Sequence, residues 1–175
     1  MTTIIKKDGF LNGIILGILL IALTSYIYFV DLNLLNNVWF GTFKIFITIL
    51  IGIFSVVYTK RKLGGFISFK EAFSSYFLTI FVGSLFLCIF IIILFSFVFT
   101  TEKIEVIKNI QSEFNLFIMK LNYATAAQME EAKKLSKALN PGDTMEIIGL
   151  SVRYLLRDCL FGLFVALVFR NKRTL

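Results

Sequence analysis

The chain has 175 residues, enough for one compact domain, yet 58% are hydrophobic, only 17% are charged and 21 are Phe. Ordinary globular domains hold roughly 45–50% apolar residues, and a soluble protein of this size needs far more polar surface to cover its core; the composition excludes an ordinary soluble domain and points to a bilayer. The net charge of +7 is no argument for nucleic acid, because the cations cluster at the ends of apolar runs, where anionic lipid headgroups lie.

The first charge-free run is Phe10 to Val30, 21 residues, or roughly 30 Å of helix, the thickness of the hydrocarbon core. A signal peptide has a shorter apolar region that ends in small residues. This run ends TSYIYFVD, bulky and aromatic, and reads as an uncleaved helix. GIILG, Gly13 to Gly17, has the spacing that lets helix backbones approach closely. A short polar loop, 31–37, contains no Lys or Arg. Val38 to Tyr58 is the second run, with one internal charge, Lys44, and with Trp39 and Tyr58 at its ends, where amphipathic rings prefer the interface.

Lys60, Arg61 and Lys62 close the second run, and Gly64-Gly65 offers flexible backbone for a reversal. The stretch lacks GxxxxGK[ST] and is no phosphate loop. Ser68 and Glu71 form a capping box, which starts a third helix near Phe69. Ala72 to Phe99 then has no charge over 28 residues, roughly 42 Å of helix, with Ser74, Ser75, Thr79, Gly83 and Ser84 as a small-residue side.

Residues 100–146 are the main water-exposed segment. Ile107, Ile110, Phe114, Phe117 and Leu121 fall on one helical stripe, with Ile104 and Ile118 beside it. The following TAAQMEEAKKLSKALN is also helix-prone and ends at Pro141-Gly142. The segment reads either as two helices packed on each other or on the bilayer surface, or as a docking surface for a partner. Ile147 to Phe169 is the fourth run, with Arg153, Arg157 and Asp158 inside it and Arg170, Lys172 and Arg173 after it.

With four spans, both termini and the 59–70 loop share one side. That side carries nine cations, Lys6, Lys7, Lys60, Arg61, Lys62, Lys70, Arg170, Lys172 and Arg173, against none in the 31–37 loop. The excess of Lys and Arg places both termini and the 59–70 hairpin in the cytoplasm and the 100–146 hairpin outside.

GGFISFKEAF, residues 64–73, resembles the hallmark of the domain-of-unknown-function family 4199, small membrane proteins typical of Bacteroidota. Members show Gly-Gly-x-Ile-Ser-Phe-x-x-Ala-Phe after a short basic stretch, matched here by Gly64, Gly65, Ile67, Ser68, Phe69, Ala72 and Phe73, with Glu71 of the capping box among them. AAQMEEAKKLSKALNPG is similar to the family's variable exported segment, and a last span ending in basic residues follows it. The resemblance covers nearly the whole chain. It implies a bacterial inner membrane and brings no activity with it.

Ionisable residues inside a span are costly and by default functional candidates. Counting from the basic ends, Asp158 lies 12 residues from Arg170, about 18 Å, and Lys44 14 residues from Tyr58, about 21 Å. A Lys44–Asp158 or an Arg157–Asp158 cluster is expected, with Arg153 on the Arg157 face. Three readings compete: pairing or snorkelling, a polar face met by a partner, and an ion or proton path.

No catalytic constellation appears. The chain has no His, which removes the commonest general base and metal ligand, and Cys88 and Cys159 sit in apolar runs as small core residues. The expectation is an all-α membrane protein of four transmembrane helices with an exported amphipathic hairpin between helices three and four. It needs no cofactor, binds no nucleic acid and is not an enzyme. Its expected role is an accessory or stabilising subunit of a larger integral membrane complex, using Lys44, Arg153, Arg157, Asp158 and the exported stripe. The alternative is a small transporter or channel that uses the intramembrane charges as a homo-oligomer.

Overall fold

The computed structural model describes residues 3–138 and 140–171, so Leu139 and two of the cations counted above, Lys172 and Arg173, lie outside the described residues. Among the described residues the chain is all helical: α1 (Thr3–Phe29), α2 (Val38–Lys62), α3 (Phe69–Ile93), α4 (Thr101–Leu121), α5 (Ala126–Ala138) and α6 (Thr144–Phe169). A 3-10 turn, Leu32–Asn36, joins α1 to α2, and a π-helical turn, Leu94–Val98, ends α3. Each apolar run of the sequence has become one long helix. Three of them, α1, α2 and α3 with its π turn, are long and apolar enough to cross a membrane. Helix α6 is of similar length, but three charges, Arg153, Arg157 and Asp158, lie in its middle.

The polarity of the bundle is inverted relative to a soluble fold. Ile15, Ile18, Phe46, Phe54, Phe164 and Val168 point outward, while Asp8, Asn12, Ser55, Thr59, Ser75, Thr79 and Asp158 are buried. Water around such a molecule would reverse that arrangement; hydrocarbon favours it, because buried polar groups then find partners only among the helices.

The central helix is α3, which packs most extensively on α1, then on α6 and α2. The α1–α3 contact is glycine-lined. A Cβ at Gly13 would meet Val82 Cβ at 2.6 Å, one at Gly17 would meet Phe86 Cβ at 2.8 Å, and one at Gly83 would meet Leu16. The Gly13–Gly17 spacing does act as a packing face, and Gly9, closed by Leu78, extends it by one turn.

The turn between α2 and α3 is set by local chemistry. Gly65 N–H donates to the Lys60 carbonyl at 3.0 Å and Gly64 N–H to the Arg61 carbonyl at 3.2 Å, the double closure of a Schellman motif. Both glycines are left-handed, φ +79° and +86°, where a side chain is strained. The basic last turn of α2, Lys60 to Lys62, sits at the negative end of the helix dipole. Ser68 and Glu71 close the capping box, Glu71 N–H to Ser68 Oγ at 3.3 Å and Ser68 N–H to Glu71 Oε2 at 2.9 Å, so α3 begins at Phe69.

This turn also holds α6. Ile67 and Asn171 exchange hydrogen bonds at 3.0 Å, Asn171 Nδ2 donates to the Gly65 carbonyl, and Lys60 Nζ donates to the Phe169 carbonyl at 3.0 Å. At its other end Ile147 is buried with Tyr28, Phe95 and Phe99, whose rings meet at 5.2–5.8 Å. Helix α6 therefore runs the full length of the bundle.

Beyond that second end, α4 lies against the 3-10 turn and α5 packs on α4, with the Ser112 and Ser136 hydroxyls 2.8 Å apart. Gly64→Ala and Gly65→Ala are each expected to cost about 1–2 kcal/mol, whereas Gly41→Ala, with open space around its Cβ, is expected to hold or gain stability. Gly13→Val is expected to force α1 off α3 at about 1–3 kcal/mol. Unfolding in detergent, followed by circular dichroism, ranks all four.

Candidate functional site

Arg157 and Asp158 form the charged centre of α6. Arg157 Nε and Nη2 each lie 2.8 Å from Asp158 Oδ1, and the Asp158 side chain keeps 5% of its surface against 38% for Arg157. The pair is neighbouring in sequence, so one helix supplies both charges. Arg157 also lies over the Tyr154 ring at 5.2 Å, and Arg153 is exposed.

Lys44 does not join this centre. Its ammonium turns to α1 and donates to Thr24 Oγ1 at 3.4 Å, and no ion pair links it to Asp158. Similar depth on two helices did not bring the two charges together, because α2 meets α6 over a small area and directs Lys44 to α1 instead. Tyr76 of α3 packs against α6 at Gly162, one turn beyond Asp158. Its ring is fully buried, and a Cβ at Gly52 of α2 or at Gly162 of α6 would overlap it. Its hydroxyl is buried and has no hydrogen-bond partner among the described residues.

A second polar centre lies between α1, α2 and α3, and the charge count of the apolar runs missed it. Asn12 Nδ2 donates to Ser55 Oγ at 3.1 Å, and Thr79 Oγ1 lies 2.8 Å from the same oxygen. Ser75 Oγ sits 3.2 Å from Ser55 Oγ and 2.9 Å from Thr59 Oγ1. Thr79 Oγ1 also reaches the Gly9 carbonyl at 3.3 Å. One turn before Asn12, Asp8 is 2% exposed and pairs with Lys62 Nζ at 2.7 Å. Asp8 was missed because it precedes the charge-free run, and Asn12, Ser55 and Thr59 because they are uncharged; Ser75 and Thr79 were read as part of the small-residue side of α3, without their partners. A detectable signal did exist: Asp8/Asn12, Ser55/Thr59 and Ser75/Thr79 are three polar pairs at i, i+4, each on one helix face.

The apolar stripe of α4 is divided. Ile107 is fully buried in the Tyr28–Phe95–Phe99 cluster, with Ile104 packed beside it. Ile110 and Phe114 are half-buried, while Phe117 and Leu121 are exposed. A shallow groove of about 300 Å³ between α4 and the 3-10 turn is lined by Asn36, Glu113, Phe114 and Phe117. The proximal part of the stripe is thus an anchor, and the distal part is bare.

The segment Gly64–Phe73 is a structural element. Gly64 and Gly65 turn the chain, Ile67 is buried and holds Asn171, and Ser68 and Glu71 cap α3. Ala72 is fully buried, and Phe69 stacks on Phe73 at 6.3 Å to begin a ladder that continues through Phe77 and Phe81.

Replacing Arg157 by Met leaves the Asp158 carboxylate buried and unpaired. The expected cost is at the low end of roughly 3–5 kcal/mol, because the guanidinium keeps 38% exposure. Adding Asp158→Leu is expected to restore most of the loss. Equal destabilisation of the single and double variants in thermal melts would contradict this account.

No curated protein and no solved structure matches the chain. The family described as Protein of unknown function (DUF4199) matches over residues 11–171. That match takes in α1 from residue 11 onward, all of α2, α3 and α6, and the glycine turn that ties α6 to α3, and the chain belongs to this family.

Proposed function

We propose that the chain is a non-catalytic, four-span protein of a bacterial inner membrane, with both termini cytoplasmic, that docks on and stabilises a larger integral membrane protein. Support for the fourth span is that α6 lies alongside α3 from the Tyr28–Phe95–Phe99 cluster to the glycine turn. In this topology the basic turn and Asn171 share the cytoplasmic side, and α4 and α5 are outside.

The observation that carries the docking role is the tip of the α4–α5 arm. Its base is fixed by Ile104 and Ile107. Its tip bares Phe117, Leu121 and Tyr123, exposed by 51%, 59% and 95%. Tyr123 ends α4 in the left-handed region, φ +57°, with Ala124 N–H donating to the Met119 carbonyl and Tyr123 N–H to the Lys120 carbonyl. Glycine normally fills that position of the motif, and a side chain there costs about 1–2 kcal/mol. An aromatic group kept at that cost is a group the surface uses. Its counterpart is an apolar patch on the exposed part of the larger protein.

The test separates stability from binding. Tyr123→Gly is expected to raise the melting temperature by removing strain and at the same time to weaken co-purification of the partner from native membranes. Phe117→Glu with Leu121→Glu is expected to abolish it. Undiminished co-purification with both variants would sink the docking role. Labelling of single cysteines placed at positions 64 and 171 from the same membrane face checks the topology.

A second reading, a small oligomeric transporter or channel, draws support from the buried polar centre between α1, α2 and α3. The separation of Lys44 from Asp158 removes the two-helix cluster from that reading.

A further inference from the structure

Among the described residues, Asp8 carries a buried carboxylate oxygen with no hydrogen-bond partner. A carboxylate accepts at about four lone-pair sites, yet one oxygen of Asp8 meets only Lys62, and the other, Oδ2, is buried with no partner. An orphaned buried acceptor calls for a water or an ion. The polar centre that begins one turn further along α1 is oxygen-rich. Asp8, Gly9 and Asn12 all lie on the buried face of α1, the Gly9 carbonyl accepts from the Thr79 hydroxyl at 3.3 Å, and Ser55, Thr59, Ser75 and Thr79 are fully buried.

From this we infer that Asp8 is the anchor of a binding site for a small monovalent cation of sodium type, lying between α1, α2 and α3. Hard cations take oxygen ligands, and the donors here are carboxylate, carbonyl, amide and hydroxyl oxygens. A lone carboxylate balances one positive charge, which matches a monovalent ion and not a divalent one. Asp8 lies in the first turns of α1 and its partner Lys62 in the last turn of α2, beside the glycine turn, so the approach is from the glycine-turn end of the bundle. Lys62 stands in that approach. Its side chain is 41% exposed, its ammonium reaches Asp8 Oδ1 at 2.7 Å, and the Tyr58 ring at 4.4 Å offers it a second resting place. The tethered ammonium occupies the carboxylate when no ion is present, and the free ion competes with it. The inference stands apart from the docking role, since it concerns the opposite end of the bundle.

The full chain, purified in detergent, is melted in NaCl and in choline chloride at equal ionic strength. The expected result is a saturable rise in melting temperature in NaCl that choline chloride does not give. Lys62→Ala removes the competitor, so the half-saturating sodium concentration is expected to fall roughly 5-fold or more. Lys60→Ala, whose ammonium serves Phe169, is expected to leave the sodium response unchanged. Asp8→Asn is expected to abolish the response. If Asp8→Asn fails to fold, the Lys62→Ala titration still decides the matter. A melting temperature that follows ionic strength alone in both the native chain and Lys62→Ala overturns the site. So does a response to pH with none to sodium.

Discussion

The approach of α1 to α3 through glycine is the contact from which the rest of the bundle follows. Gly13 and Gly17 leave no Cβ between the helices, so Val82, Phe86 and Gly83 move into the space. Without water between apolar helices the hydrophobic effect adds little to their association, and close van der Waals packing and interhelical hydrogen bonds take over. Bringing the two backbones together also sets the Gly9 carbonyl within reach of Thr79. Helix α2 then closes the third side with Ser55 and Thr59, and the hydroxyl cluster forms where the three meet.

A related device seats α6. Tyr76 fills the space that Gly52 and Gly162 leave open, and so one large ring on α3 keys both neighbouring helices. The glycine turn and Asn171 hold the end of α6 by backbone and side-chain hydrogen bonds. The segment Gly64–Phe73 is therefore accounted for by folding. It reverses the chain, starts α3 and latches α6, and none of these tasks involves a reacting group. The two regions left over, the Asp8 centre and the tip of α4, lie at opposite ends of the bundle.

Much of this was legible in the sequence because it rests on local rules. Apolar runs of sufficient length make long helices, Ser68 and Glu71 make a capping box, and paired glycines after a basic turn make a reversal. The stripe of α4 was legible as a stripe, but not its division, because burial of Ile107 and exposure of Leu121 depend on where the bundle ends beneath the helix. Depth alone left the partner of Asp158 open between Lys44 and Arg157. Depth fixes one coordinate of a charge, and the rotation of α2 that sends Lys44 to Thr24 is set by packing.

The sequence by itself determined the all-helical class, the long apolar helices, the family and the position of the turn that joins α2 to α3, since each depends on residues close together in the chain. The tertiary structure alone decided which polar groups meet. Asn12, Ser55 and Thr79 lie on three helices and are separated by up to 67 positions. Only the rotation and close approach of those helices makes them one cluster beside a buried carboxylate with an unfilled oxygen.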